Sequence, residues 1–303
     1  RRVQEALPTM DKRPLSNIVW ALGALNKNAA LFAALHLELI EATSKMCPAF
    51  SARQAANILW AVARLRDVAP GFLALAAPVA RNFAERASEA IAQEMSNVMW
   101  SIARLKKTHP ELKSIAEDLA PIVAANAHSM KPQEVANTVW AAGQLQLQLV
   151  DSAKEMMDAC MRAARRSVES MQPQELANTW TGAALLGFRD EEWLRLVSAK
   201  VFRDGRTWSR RDLRLALPAI VWAQARVGFK SAEVLECATS RLGSGFGDVP
   251  DWGILALVWS YRELDGDGQH RDVVRRLEAK VAARGLTEGD VQRAAVSGPG
   301  DWD

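Results

Sequence analysis

The chain has 303 residues, 49% hydrophobic and 24% charged, which is enough apolar material for a continuous core. Its formal charge of +3 is too small to define a partner, so where the charges sit matters more than their sum. Cys47, Cys160 and Cys237 form no C-x-x-C pair and read as buried thiols of a reducing compartment, while His36, His109, His128 and His270 show no zinc spacing. No metal or cofactor is expected, and no apolar run approaches the roughly 18 residues of a membrane span. From the Arg-Arg start, in place of Met, a mature or trimmed form is expected, in which a targeting segment is not visible.

Taken from the start, the chain writes Asn-x-x-Trp four times at a spacing of 40 residues: Asn17/Trp20, Asn57/Trp60, Asn97/Trp100 and Asn137/Trp140. The surrounding phrases RPLSNIVWALGAL, RQAANILWAVARL, QEMSNVMWSIARL and QEVANTVWAAGQL repeat one another. The fifth copy keeps Asn178 but moves the indole to Trp180, leaving Thr181 in the Trp slot; the sixth and seventh keep Trp222 and Trp259 and place Ala219 and Ala256 in the Asn slot. A fixed period of this size predicts a repeat architecture, with degeneration toward a terminal cap.

Each repeat reads as two helices. In the first, Pro14 lies near a helix start, and Leu15, Ile18, Leu22 and Leu25 recur at helical spacing as the expected core side. Asn26-Lys27-Asn28 breaks the helix, and LFAALHLELIEATSKM follows as a second one with Leu31, Leu35, Leu39 and Met46 inward. Pro70-Gly71, His109-Pro110 and Asp190-Glu191-Glu192 mark later second helices; Met-Lys-Pro at 130–132 and Met-Gln-Pro at 171–173 mark later first helices. Repeats start near 10, 50, 90, 130, 171, 209 and 250.

The last part is looser. GSGFGDVPDWG at 243–253 is a Gly-rich connection. Asp265-Gly266-Asp267-Gly268 has the spaced aspartates of a calcium loop, but His270 and Arg276 stand where such a loop needs Gly and Glu. A short helix is expected from Thr287, followed by a flexible SGPGDWD tail. The expected fold is an all-α, right-handed α-solenoid of about seven helix-turn-helix repeats over residues 1–264, with capping helices and tail over 265–303.

At about 100° per residue, Arg13, Asn17, Trp20, Ala24 and Lys27 share one stripe opposite the expected core side. Its equivalents are Arg53, Asn57, Trp60, Arg64, Asp67; then Gln93, Asn97, Trp100, Arg104, Lys107; then Gln133, Asn137, Trp140, Gln144, Leu147. An invariant residue cannot encode different bases. Asn17, Asn57, Asn97, Asn137 and Asn178, with Trp20, Trp60, Trp100, Trp140, Trp222 and Trp259, are therefore expected to hold repeats together, Asn by bridging backbone groups of neighbours and Trp by wedging between helices. The slot four residues after Trp varies, and there Arg64, Arg104, Gln144 and Arg226 form a basic, hydrogen-bonding ladder. Arginine pairs with phosphate and stacks on bases, so this ladder, with Arg13, Lys27, Arg53, Arg66, Lys106 and Lys107, is the expected RNA contact. The alternative is a solvated helix face.

The phrase Met-x-Pro-Gln-Glu-Leu/Val-Ala-Asn-Thr-x-Trp, at 130–140 and displaced at 171–181, resembles the octotricopeptide repeat and the repeat region of FAST-kinase-like and RAP-domain proteins. The resemblance covers roughly residues 8–262 and is most specific in repeats one to four. It implies a soluble protein of the mitochondrial matrix or chloroplast stroma that binds single-stranded or structured RNA, an organellar transcript or ribosomal RNA, inside a larger ribonucleoprotein. No RAP segment follows, and no phosphate loop, catalytic set or metal cluster is present, so an enzyme is not expected. The alternative function is a scaffold that docks other protein subunits of a large organellar assembly.

Overall fold

The computed structural model describes residues 7–148, 151–242, 246–266 and 268–299. They form helices and connecting turns, and no strand is formed among them. The fold is an all-α helical-repeat solenoid, with fifteen α-helices among the described residues. The helices fall into two units: residues 1–130 with 147–160, and residues 131–146 with 161–303.

The first unit contains α1 (Lys12–Leu25), α2 (Ala33–Met46), α3 (Ala52–Leu65), α4 (Ala76–Glu85), α5 (Ala92–Leu105) and α6 (Leu112–Asn126). The first helices α1, α3 and α5 lie side by side in series, and the second helices pack behind them, α4 against α6. Between the layers Leu39, Phe50, Ile58, Leu59, Phe72, Phe83, Met99 and Ile102 are fully buried. Burial of this kind, about 2 kcal/mol per large apolar side chain, holds the pairs together.

Local chemistry sets the helix ends. Ser51 caps α3 through its hydroxyl, and Gln54 Oε1 accepts the Ser51 N–H at 3.0 Å. Asn26 ends α1 with φ 49°, and a 3-10 segment Asn26–Phe32 then leads into α2. Pro70-Gly71 likewise opens a 3-10 segment, Pro70–Leu75, from which α4 continues.

The second unit contains α7 (Pro132–Leu145), the C-terminal part of α8 (Asp151–Ser167), α9 (Pro173–Leu185), α10 (Glu191–Asp204), α11 (Arg210–Arg226), α12 (Ala232–Arg241), α13 (Asp251–Leu264), α14 (Arg271–Ala283) and α15 (Glu288–Ser297). First helices α7, α9, α11 and α13 again pack in series, and α15 closes on α13. The Pro-Gln-Glu phrase has a mechanical role here. Pro132 and Pro173 occupy the first turn, where no N–H is needed, and Glu134 and Glu175 accept the N–H of Lys131 at 2.9 Å and Gln172 at 2.7 Å. Burial raises the Glu175 carboxyl above its ordinary value, partly offset by that N–H.

Gly187 and Gly228, both at positive φ, end α9 and α11, with Phe188 and Phe229 N–H returning to Ala183 and Gln224 carbonyls. Trp180, Trp193, Trp222 and Tyr261 are buried in this unit. Tyr261 donates to Leu235 O at 3.0 Å, and burial pushes its hydroxyl up to about 12. Arg203 Nη2 meets Glu169 Oε2 at 2.5 Å, and Arg203 with Lys200 holds Asp204 down at about 2.

Three expectations change. On α1 the buried residues are Leu15, Ser16, Val19, Leu22 and Gly23, whereas Ile18 is half-buried and Leu25 exposed. On the second helix, which starts at Ala33, Leu39 is buried and Leu35 and Met46 are half-buried, whereas Leu31 falls in the preceding 3-10 segment and is 81% exposed, because no described helix packs over it. The stretch Lys12–Ala49 does contain a window long and apolar enough to cross a membrane, contrary to the reading of the sequence, although it is divided here into α1, a 3-10 segment and α2. The helix from Thr287 forms with its hydroxyl capping Asp290 N–H. Residues 243–245, Asp267 and the tail from 300 onward lie outside the described residues.

Candidate nucleic-acid interface

In the first unit the Asn–Trp stripe lies along the exposed edge of α1, α3 and α5. Its ends are solvent-exposed: Arg13 and Arg53 at the N-terminal ends, Lys27 and Lys107 just past the C-terminal ends. None of these four side chains has an ion pair or hydrogen bond. Between them the stripe is half-buried, because each first helix turns this flank toward the helix before it. Trp20 and Trp60 stack with centroids 6.1 Å apart. Trp20, on the outermost first helix, is 45% exposed.

Two of the variable-slot arginines, Arg64 and Arg104, do not stand free in solvent as the sequence suggested. Arg64 lies over the Trp60 ring at 5.4 Å and donates from Nε to Gly23 O at 3.2 Å. Gly23 lies in the last turn of α1, where carbonyls lack helical partners, so Arg64 caps the preceding first helix. Arg104 lies over Trp100 at 5.4 Å and is only 8% exposed. Both side chains sit four residues after their own Trp, which brings each guanidinium onto the ring below it. Arg66 pairs with Asp67 and donates to Ala63 O; Lys106 and Gln144 are half-buried. Arg226, in the second unit, is exposed and has no ion pair.

The asparagines also differ from expectation. Asn57, Asn97 and Asn137 are half-buried and Asn17 is exposed, and none of their side chains makes a hydrogen bond. The expected bridges between repeats are therefore missing. What sits between adjacent first helices is a row of small residues that the sequence reading passed over. The slot after Trp holds Ala61, Ser101, Ala141, Gly182, Ala223 and Ser260; Ala61 meets Gly23 of the first helix before it, and Gly182 meets Gly143. A Cβ on Gly23 would lie 2.6 Å from Ala61 Cα, and one on Gly182 would lie 2.2 Å from Val139 O. The signal was legible: no large side chain ever follows the Trp slot.

In the second unit the stripe sinks inward. Trp140 and Trp222 are buried, and Trp222 donates to Ala294 O of α15 at 3.0 Å. Asn178 is 9% exposed, and its Oδ1 has no partner. No cluster of His, Cys, Asp and Glu able to hold a metal occurs among the described residues, and the three cysteines are buried outside any disulfide. A groove of about 750 Å³ opens against α2, but Asp11, Glu38 and Glu41 on its wall disfavour a polyanion.

Helical pairs stacked through small residues, with a polar flank between unpaired cations, define an α-helical repeat protein. Residues 74–227, just over half of the chain, match the family model described as the Tbc2 translation factor, N-terminal domain. The chain belongs to that family. No curated protein matches it.

Proposed function

We propose that this protein is a non-catalytic RNA-binding helical-repeat protein, acting in the expression of an organellar transcript or on ribosomal RNA within a larger ribonucleoprotein. The observation that carries this reading is the set of four exposed, unpaired cations, Arg13, Lys27, Arg53 and Lys107, that bracket the Asn–Trp stripes of the first unit. A strand laid across α1, α3 and α5 would meet these cations with its phosphates and the half-exposed indoles with its bases. The family description names a translation factor, which fits work on a messenger or on ribosomal RNA. The placement in a mitochondrion or chloroplast rests on the octotricopeptide resemblance.

A salt titration of binding to a labelled single-stranded RNA tests the reading. Phosphate contacts release counterions, so log K should fall linearly with log salt, by about 0.7 per contact. Absence of binding, or binding indifferent to salt, would count against it.

The scaffold reading is favoured by one observation. Leu31, Phe32 and Leu37 stay exposed on the first repeat, whereas Phe72, the counterpart of Phe32 one period on, is fully buried. A helical pair of a partner subunit would cover them as each repeat covers the next, and such a contact would persist in salt.

A further inference from the structure

The asparagine row has no structural partner, and we propose that Asn17, Asn57 and Asn97 recognise the ribose 2′-hydroxyls of a bound RNA strand. This deepens the RNA-binding reading and rests on it. Each amide offers one acceptor and two donors, and in this structure those of all three residues are unmet. A stacking role would have used them.

The ligand group must recur along the strand, because the same amide recurs in each repeat. Base edges change from one nucleotide to the next and cannot be met by an unchanging residue. Phosphate oxygens recur but only accept, so they would leave every Oδ1 without a donor. A 2′-hydroxyl recurs, donates to Oδ1 and accepts from Nδ2, and so satisfies both ends of the amide. An extended peptide also offers donor and acceptor at each step. It would have no use for Arg13, Lys27, Arg53 and Lys107, which flank the same stripes without carboxylate partners. The cations hold the strand to the stripe, and the amides report which sugar it carries.

The test compares two single-stranded oligonucleotides of one sequence, one ribose and one 2′-deoxyribose, by fluorescence anisotropy at fixed salt. The intact protein is expected to bind the ribose strand about tenfold more tightly. The double variant Asn57→Ala/Asn97→Ala, which keeps only the Asn17 amide, should lose most of the ribose preference and bind that strand near the level of the deoxyribose strand, with an unchanged melting temperature. Equal binding of both strands by the intact protein would overturn the proposal and leave the RNA-binding reading standing. It would also be overturned by a double variant that keeps the preference, or by one that melts early and loses both strands. If neither strand binds, this proposal and the RNA-binding reading fall together.

Discussion

Arg104 and Asn97 share one face of α5, and their surroundings oppose their sequence-level roles. Arg104 is buried against Trp100, its aliphatic stem covered and its guanidinium over the ring. Asn97 is half-buried and its side chain touches no hydrogen-bond partner. Truncating the arginine removes a desolvated cation–π contact and packed methylenes, so Arg104→Ala should cost about 1–2 kcal/mol in chemical denaturation. Asn97→Ala removes an amide that bonds to nothing and should stay within about 0.5 kcal/mol of the parent. Equal losses in the two variants would show that the amide has a partner in solution. The sequence placed both residues on the right stripe, since helical spacing alone fixes that. What it left open was the neighbour. The side opposite a helix's own core is free only in a lone helix, and in a stack it becomes the flank of the next repeat.

Between helices, the determinant is the absence of side chains. Gly182 on α9 faces Val139 and Trp140 of α7, and Gly143 of α7 faces Gly182 in return. Backbone meets backbone there, so Gly182→Ala must push the two helices apart. Overpacking of this kind costs about 1–3 kcal/mol. Thermal unfolding of the variant measures it, and a melting temperature equal to the parent's would mean that the helices separate at no cost. Several helix starts were readable, because caps act within one turn: Pro with Glu at the starts of α7 and α9, and Thr287 before α15. The second helix of the first repeat was misread for the opposite reason. Leu31 has the spacing of a core residue, but a core needs a second surface, and none of the described helices supplies it.

Over the whole molecule, charge rather than periodicity separates a binding surface from a solvated one. The 40-residue period was enough to foresee an all-α repeat. It could not tell which arginines are tied down, because Arg64 and Arg104 look in sequence much like Arg53. In the folded protein Arg64 caps a neighbouring helix, whereas Arg13, Lys27, Arg53 and Lys107 are exposed and unpaired. Replacing these four by alanine should leave stability near the parent's, since exposed charges contribute little to folding. RNA binding should weaken, and the slope of log K against log salt should become shallower by up to about 2.8, at ~0.7 per phosphate contact. Changing only Arg64 and Arg104 should instead lower stability first, with any loss of RNA following from it. A quadruple variant with the parent's slope would place the phosphate path elsewhere on the protein. In that event Arg226, the exposed cation in the variable slot of the second unit, would be the next residue to change.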